Sequence, residues 1–305
     1  MHWVAFVVVL LLLPLLSPRL GEAQEKALRI IILRDKQEAQ QILQQLRQGA
    51  SFSALAASNS IGPEKNVWGY SGVVRLSDVQ PELRPVLQTL QLGQISDVLE
   101  VSKRFMIVKV LSPQIERHYE TADRALKAKQ GAQAVQALRA ALALEEDNVQ
   151  TYLKLGFAYE ATKQYEDAIT ALEKAQKYAP KEAQVTLLRA AAYTHAAVER
   201  KNRAYAEQAV KGYEQTLQLN PQLSQAVNFG LGKVYLLGLQ QPETAIGYLE
   251  QAAKSSPRIP EIYRLLIQAN YDLRRYQQAS QHLRFAQSLG YDFPELREAL
   301  NKVKK

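Results

Sequence analysis

The chain has 305 residues, 47% of them hydrophobic and 22% charged, which is ordinary for a globular protein of about two domains. The absence of cysteine excludes a disulfide framework, a thiolate zinc site and a cysteine nucleophile. The net charge of +8 comes from basic residues spread evenly along the chain, which disfavours nucleic acid as a partner and leaves weak association with acidic membrane surfaces as the milder interpretation.

The N-terminus carries an apolar run of 14 residues, Trp3–Leu16, which is too short to cross a bilayer but has the length of a secretory signal core. Gly21 and Ala23 supply the small residues of a cleavage site, although no lysine or arginine precedes the apolar run. We therefore predict a signal peptide at residues 1–23 and export to the periplasm or another extracytoplasmic compartment. The alternative is an uncleaved segment that anchors the protein at its N-terminus.

Residues 24–113 alternate between strand-like and helix-like patterns and predict a compact α+β domain with a small antiparallel sheet. The run Ala27–Leu33 is typical of a buried strand, and Asp35 is placed to cap a helix that ends at Gly49. A short second helix, a loop over Ile61–Asn66, a third helix ending at Gly93 and two closing strands follow. The last strand lies in "RFMIVKVL".

A period of 34 residues appears in the rest of the chain, most clearly in the unit Val149–Glu182. This unit resembles a tetratricopeptide repeat, because nearly every signature place of that family is filled: Leu155, Gly156, Tyr159, Tyr165, Ala168, Leu172, Ala175 and Pro180. We predict five repeats at about 115–148, 149–182, 183–223, 225–259 and 260–292, within 114–292, and a capping helix at 293–305. The resemblance implies an all-α superhelical solenoid.

The first helix of each repeat lines the concave wall in this family, and the resemblance places nine residues there: Tyr119, Asp123, Leu153, Phe157, Leu187, Phe229, Lys233, Arg264 and Gln268. The central places are apolar, so the lysine and asparagine clamp with which some members bind a terminal carboxylate is missing. Such a wall suits an extended or helical apolar segment of a protein or peptide client. The alternative is that these side chains only pack on neighbouring helices.

The α+β domain resembles the parvulin-type peptidyl-prolyl isomerases in "LRIIILRDKQEAQQILQQLRQGASFSALAASNSIGPE", "WGY", "LSDVQPELRPVLQTLQLGQISDVLEV" and "RFMIVKVL". The family's two pocket histidines and its acid or cysteine fall here on Ile30, Met106 and Val67. The apolar wall that cradles proline falls on Val79, Leu83, Leu87 and Phe105. The resemblance therefore implies the fold and an apolar pocket, but a degenerate set of catalytic positions.

These observations predict an exported folding or assembly factor that binds extended clients through both domains. The alternatives are an active prolyl isomerase with an atypical pocket and a scaffold of an envelope complex. We expect no metal, cofactor or nucleic-acid site, and the oligomeric state is left open. The acidic triplet Glu145-Glu146-Asp147 lies at the end of a repeat helix, where we expect it to be solvated.

Overall fold

The computed structural model describes residues 25–303, so the predicted signal peptide lies outside the described residues. An α+β domain comes first, and its four strands form one antiparallel sheet in the order β2-β1-β4-β3. The strands are β1 Glu25–Leu33, β2 Tyr70–Arg75, β3 Leu99–Val101 and β4 Arg104–Leu111. None of the helices within residues 25–303 combines the length and hydrophobicity that a membrane-spanning helix requires.

Three helices complete this domain: α1 Lys36–Arg47, α2 Phe52–Asn59 and α3 Arg84–Thr89. The predicted N-cap is confirmed, because the Asp35 carboxylate accepts a hydrogen bond from the backbone N–H of Glu38 at 2.8 Å. Ser51 caps α2 in the same way. A 3-10 turn over Pro63–Val67 leads into β2, and α3 is shorter than the sequence pattern suggested.

Strand β1 separates two hydrophobic clusters, because successive side chains of a strand point to opposite faces of the sheet. On the face that we call the back face, Ile31, Leu33 and Ile107 pack against α1 and α2. On the other, which we call the front face, Leu28, Ile30, Val108 and Val110 pack against the segment that contains α3. The two faces therefore present different side chains of the same two central strands.

Gly69 lies where the chain passes close to β1 on its way into β2. It has φ +80°, and a Cβ atom there would lie 2.6 Å from the Cβ of Ala56. Its carbonyl accepts a hydrogen bond from the Ile30 N–H at 2.8 Å. Glycine is therefore required here both by the backbone conformation and by the close approach of α2.

Ten further helices follow as five antiparallel pairs, each packed on the next. Small residues allow the close contacts: Gly156 faces Leu172 and Gly212 faces Ala190. The helices of the third pair are the longest, with 18 and 17 residues. The helices are α4 Gln114–Lys127, α5 Gly131–Leu144, α6 Val149–Ala161, α7 Tyr165–Tyr178, α8 Ala183–Arg200, α9 Arg203–Leu219, α10 Ser224–Lys233, α11 Pro242–Ser255, α12 Pro260–Asp272 and α13 Tyr276–Ser288.

Two details distinguish the second half of the helical region. Helix α10 continues directly into a π-helical segment, Val234–Gly238, which sequence patterns did not indicate. At the C-terminal end, α14 Pro294–Lys302 packs across α12 and α13 and buries Leu300 almost completely. The last helix pair is thus covered by a helix that belongs to no pair.

Candidate polypeptide-binding sites

The front face brings together two of the three positions where parvulin-type isomerases carry catalytic groups. Ile30 is 8% exposed and lies directly opposite Val108 on β4, and Met106 lies one pair further along, opposite Ile32. All of these side chains belong to one apolar cluster. Val67 does not join them; it ends the 3-10 turn and is 41% exposed.

Leu83 and Leu87, two residues of the predicted proline-binding wall, belong to the same cluster as Ile30, and Val79 packs on its margin. The predicted place of Phe105 in this wall is wrong. It pairs with Leu33 and packs on the back face with the α1 and α2 cluster, because it precedes Met106 by one residue in a strand. The predicted wall residues that lie on the front face therefore all come from the segment that contains α3, and Phe105 is not among them.

The predicted catalytic and wall positions on the front face, Ile30, Met106, Val79, Leu83 and Leu87, all carry apolar side chains, which offer no hydrogen bond to a twisted prolyl amide. Two cations near this face bind backbone carbonyls. Arg84 donates to the carbonyl of Val79 at 3.0 Å, and the Lys26 ammonium donates to the carbonyls of Leu87 and, at 2.6 Å, Leu90. Burial lowers the pKa of Lys26. Its bonds satisfy the C-terminal carbonyls of α3, so Lys26 serves the helix end.

The helical region exposes one large aromatic side chain at a predicted concave position. Phe157 is 50% exposed, and it borders a small cleft together with Leu153, Glu160 and Leu188. Leu187 and Phe229 are partly buried against neighbouring clusters. Glu160 and Leu188, which is one residue along from the predicted Leu187, border this cleft and were not predicted.

Two predicted concave residues are almost completely buried. Leu153 is 6% exposed and belongs to the helical core, where it packs between neighbouring helices. Tyr119 is 9% exposed because the Tyr70 ring packs edge-on against it at 5.4 Å. These placements correct the predicted concave surface, whose N-terminal end is occupied by the α+β domain.

Charged or amide side chains occupy the remaining predicted positions. Asp123 pairs with Lys154 at 2.6 Å, and Arg264 binds Glu261 through two hydrogen bonds of 2.6 and 2.7 Å. Lys233 is half-buried, and burial lowers the pKa of its ammonium although Glu261 and Glu160 oppose the shift. The Gln268 amide donates to Asp272 at 2.7 Å. Polar groups at the predicted concave positions thus lie on both sides of Phe157 along the repeats.

Comparison with known families agrees with the division of the chain into an α+β domain and a helical region. Residues 21–112 match the family model of the PPIC-type peptidyl-prolyl isomerase (rotamase) domain. Residues 125–192 and 234–287 match models of the tetratricopeptide repeat. The chain is a PPIC-type rotamase domain followed by tetratricopeptide repeats. No curated protein matches the chain as a whole or in part.

Solved structures of repeat proteins share the fold of the helical region. MamA 41-end from Desulfovibrio magneticus RS-1 has 18% identity and a TM-score of 0.50, covering 59% of this chain and 97% of its own. The Thermus thermophilus protein TTC0263 has 17% identity and a TM-score of 0.50, covering 62% and 97%. Pseudomonas aeruginosa pilF has 21% identity and a TM-score of 0.50, covering 62% and 83%. The predicted fold class is confirmed.

A third group of residues, at the junction of the rotamase domain and the repeats, was not predicted as a site. Arg29 of β1 is completely buried, and its Nε lies 2.7 and 2.9 Å from the two carboxylate oxygens of Glu145. Its Nη1 donates to the Trp68 carbonyl at 2.6 Å, and its guanidinium lies over the Tyr70 ring at 5.6 Å. Burial disfavours the charge, but Glu145 reverses that effect and the pKa of Arg29 is raised.

Asp147 makes the second polar contact of the junction. Its carboxylate pairs with Lys109 of β4 at 2.8 Å and accepts a hydrogen bond from the Phe52 N–H at 3.1 Å, at the N-terminus of α2. Its carbonyl accepts from the hydroxyl of Ser51 at 2.8 Å. Burial raises the pKa of Asp147, but Lys109 and the Phe52 N–H outweigh it, so the pKa lies below its usual value.

The expectation of a solvated acidic triplet is therefore wrong for two of its three members. Glu145 is 3% exposed and Asp147 is half-buried, whereas Glu146 is exposed. Their charges are matched by Arg29 and Lys109, which lie far away in sequence. One signal was present: Arg29 is a lone charged residue inside the buried strand "ALRIIIL", and such a residue requires a partner.

We expect Asp147→Asn to destabilise the protein by about 1.5–3 kcal/mol at pH 7, because it removes charge-assisted hydrogen bonds. The lowered pKa of Asp147 means that its stabilisation is complete above the unfolded pKa of about 3.9 and is lost as the pH falls through the lower folded value. Urea unfolding at several pH values should show a constant difference from wild type above about pH 5 that shrinks below about pH 4. A difference that stays unchanged down to pH 3 would contradict this assignment.

Proposed function

We propose that this protein is an exported folding or assembly factor that holds extended polypeptide segments on the concave surface of its repeats. The observation that carries the proposal is the exposed aromatic side chain of Phe157 beside an apolar cleft, on the surface that such repeats use for protein ligands. Export is supported by the apolar run Trp3–Leu16 followed by small residues.

The rotamase domain contributes to this function as a weak apolar contact, without isomerase chemistry. Rotation about an X–Pro bond faces a barrier of about 20 kcal/mol, and only groups that bind the twisted amide better than the planar one lower it. The cluster around Ile30 offers apolar surface alone, with Met106 and Val79 partly exposed at its margin. Two weak sites on one chain bind a long client more tightly through effective concentration.

An active isomerase is the second candidate, and the match of residues 21–112 to the rotamase family model favours it. Its pocket would act by removing water from the prolyl amide between Met106, Val79 and Leu83. A scaffold with one fixed partner is the third candidate, supported by the buried junction that sets the orientation of the two domains. Co-purification distinguishes it, because a scaffold retains one stoichiometric partner and a holding factor retains many unfolded chains.

The chain beginning at Gln24 is expected not to accelerate prolyl isomerisation, since its expected catalytic positions are apolar. A protease-coupled assay on an X–Pro peptide measures this directly. The proposal requires a rate equal to the uncatalysed rate at every protein concentration. Acceleration that rises with protein concentration and is lost in Met106→Ala would establish the isomerase instead.

Phe157→Ala is expected to weaken binding of a reduced, carboxymethylated protein by about tenfold, because exposed aromatic anchors dominate such contacts. Phe285→Ala is the matched control: Phe285 is also 50% exposed but lies on α13, the second helix of its pair. Fluorescence anisotropy gives both dissociation constants. Equal weakening by the two substitutions, or none by Phe157→Ala, would exclude the surface around Phe157 as the binding site.

A further inference from the structure

The first helix pair of a repeat array has no preceding pair to cover its outer surface. Solenoid repeats are stable because each pair packs on its neighbours, so exposed ends require a capping element. At the C-terminal end of this array, α14 covers the last pair. At the N-terminal end, Ile115 and Tyr119 of α4 would form an exposed apolar surface if nothing packed against them.

The rotamase domain covers that surface. Ala27 and Leu111, from the back face of its sheet, form one buried cluster with Ile115, Tyr119 and Ala141 of the first repeat. Tyr70 and Val73 of β2 pack on the same cluster. The sheet therefore occupies the position that a preceding helix pair holds elsewhere in the array.

Trp68 extends this contact into the second repeat. Its side chain is 8% exposed and belongs to the core cluster of the first repeats, against which Ala54 and Ala57 of α2 also pack. Its backbone has φ 57°, the left-handed conformation that is a genuine outlier for a bulky residue. Strained backbone persists where the surrounding contacts over-determine it, and here those contacts include the repeat core.

The turn between α5 and α6 fixes the register of the two domains. The Glu145 carboxylate accepts hydrogen bonds from the Arg29 guanidinium and, at 2.9 Å, from the side-chain amide of Asn148. The Ser53 hydroxyl bridges the two domains, because it accepts from the Val149 N–H at 3.1 Å and donates to the Asp147 carbonyl at 3.2 Å. A buried polar network of this kind favours one geometry out of the many that apolar surfaces permit.

Docking uses residues adjacent to two former catalytic positions. Arg29 precedes Ile30 on β1, and Trp68 follows Val67 at the end of the 3-10 turn. The alternation of the strand sends Arg29 to the repeats and Ile30 to the front face. The turn that carries Val67, at the position where the family has an acid, is therefore anchored to the repeat core by the next residue, Trp68.

We propose that the rotamase domain acts as the N-terminal cap of the repeat array, and that polar contacts of the turn at residues 145–149 fix its orientation. The cap and the first two repeats form one cooperative folding unit. This role is independent of client binding and of prolyl isomerisation, and it assigns a function to a domain whose front face lacks catalytic side chains.

Native-state hydrogen exchange of the chain beginning at Gln24 tests the proposal with Glu145→Gln. This substitution leaves the Arg29 charge buried without its counterion, which is strongly destabilising. Exchange should rise at least about tenfold in β1 and β4 and equally in α4–α6, and stay unchanged in α12 and α13. Glu146→Gln is the matched control, because the neighbouring exposed carboxylate makes no junction contact, and its exchange should equal that of wild type.

Faster exchange confined to the sheet, with α4–α6 protected as in wild type, would contradict the proposed cap. The rotamase domain and the repeats would then unfold independently. If Glu145→Gln fails to fold, the milder Asp147→Asn replaces it, and the same paired response is expected at smaller amplitude. An equal effect of Glu146→Gln would also overturn the proposal, because the response would then follow charge alone.

Discussion

The buried ion pair between Arg29 and Glu145 is the interaction on which the architecture depends. Removing two such charges from water costs several kcal/mol per ion, so the pair is tolerable only with bonds that satisfy its remaining polar atoms. The Trp68 carbonyl, Asn148 and Lys109 provide most of them. One nitrogen of Arg29, Nη2, has no hydrogen-bond partner among residues 25–303. The pair is therefore better understood as a source of specificity than of net stability.

Strand β1 contributes both to this junction and to the front face of the rotamase domain. Its odd-numbered residues from Ala27 to Leu33 face the repeats and α1 and α2, while its even-numbered residues face α3. The side chain at residue 30 and the docking side chain at Arg29 therefore lie on opposite faces of the strand. The fold of the domain is preserved because both faces remain buried, whichever chemistry the front face carries.

The fold was predictable from local patterns, because short stretches of sequence determine strands, helix caps and repeat periods. Asp35 and the 34-residue period are examples. The positions of Ile30 and Met106 on one face followed from strand alternation, whereas Phe105 was assigned to that face against the same rule. Tyr119 was placed on the open concave surface because the pattern of one repeat contains no information about the domain packed on it.

Contacts between the domains were the part that sequence reasoning missed. Glu145 and Asp147 look like any acidic helix end until their partners on β1, β4 and α2 are known, and those partners are 38 to 116 residues away. The π-helical segment after Lys233 was missed for a similar reason, since it depends on how α10 packs on its neighbours. Long-range complementarity is not encoded in any single window of the chain.

The central claim is that the rotamase domain and the first repeats form one rigid body. Residual dipolar couplings of backbone amides in the chain beginning at Gln24 test it most directly. The account predicts that a single alignment tensor fits the couplings of β1, β4 and α4–α6 together. Two tensors of different magnitude or orientation, one for the sheet and one for the helices, would contradict it.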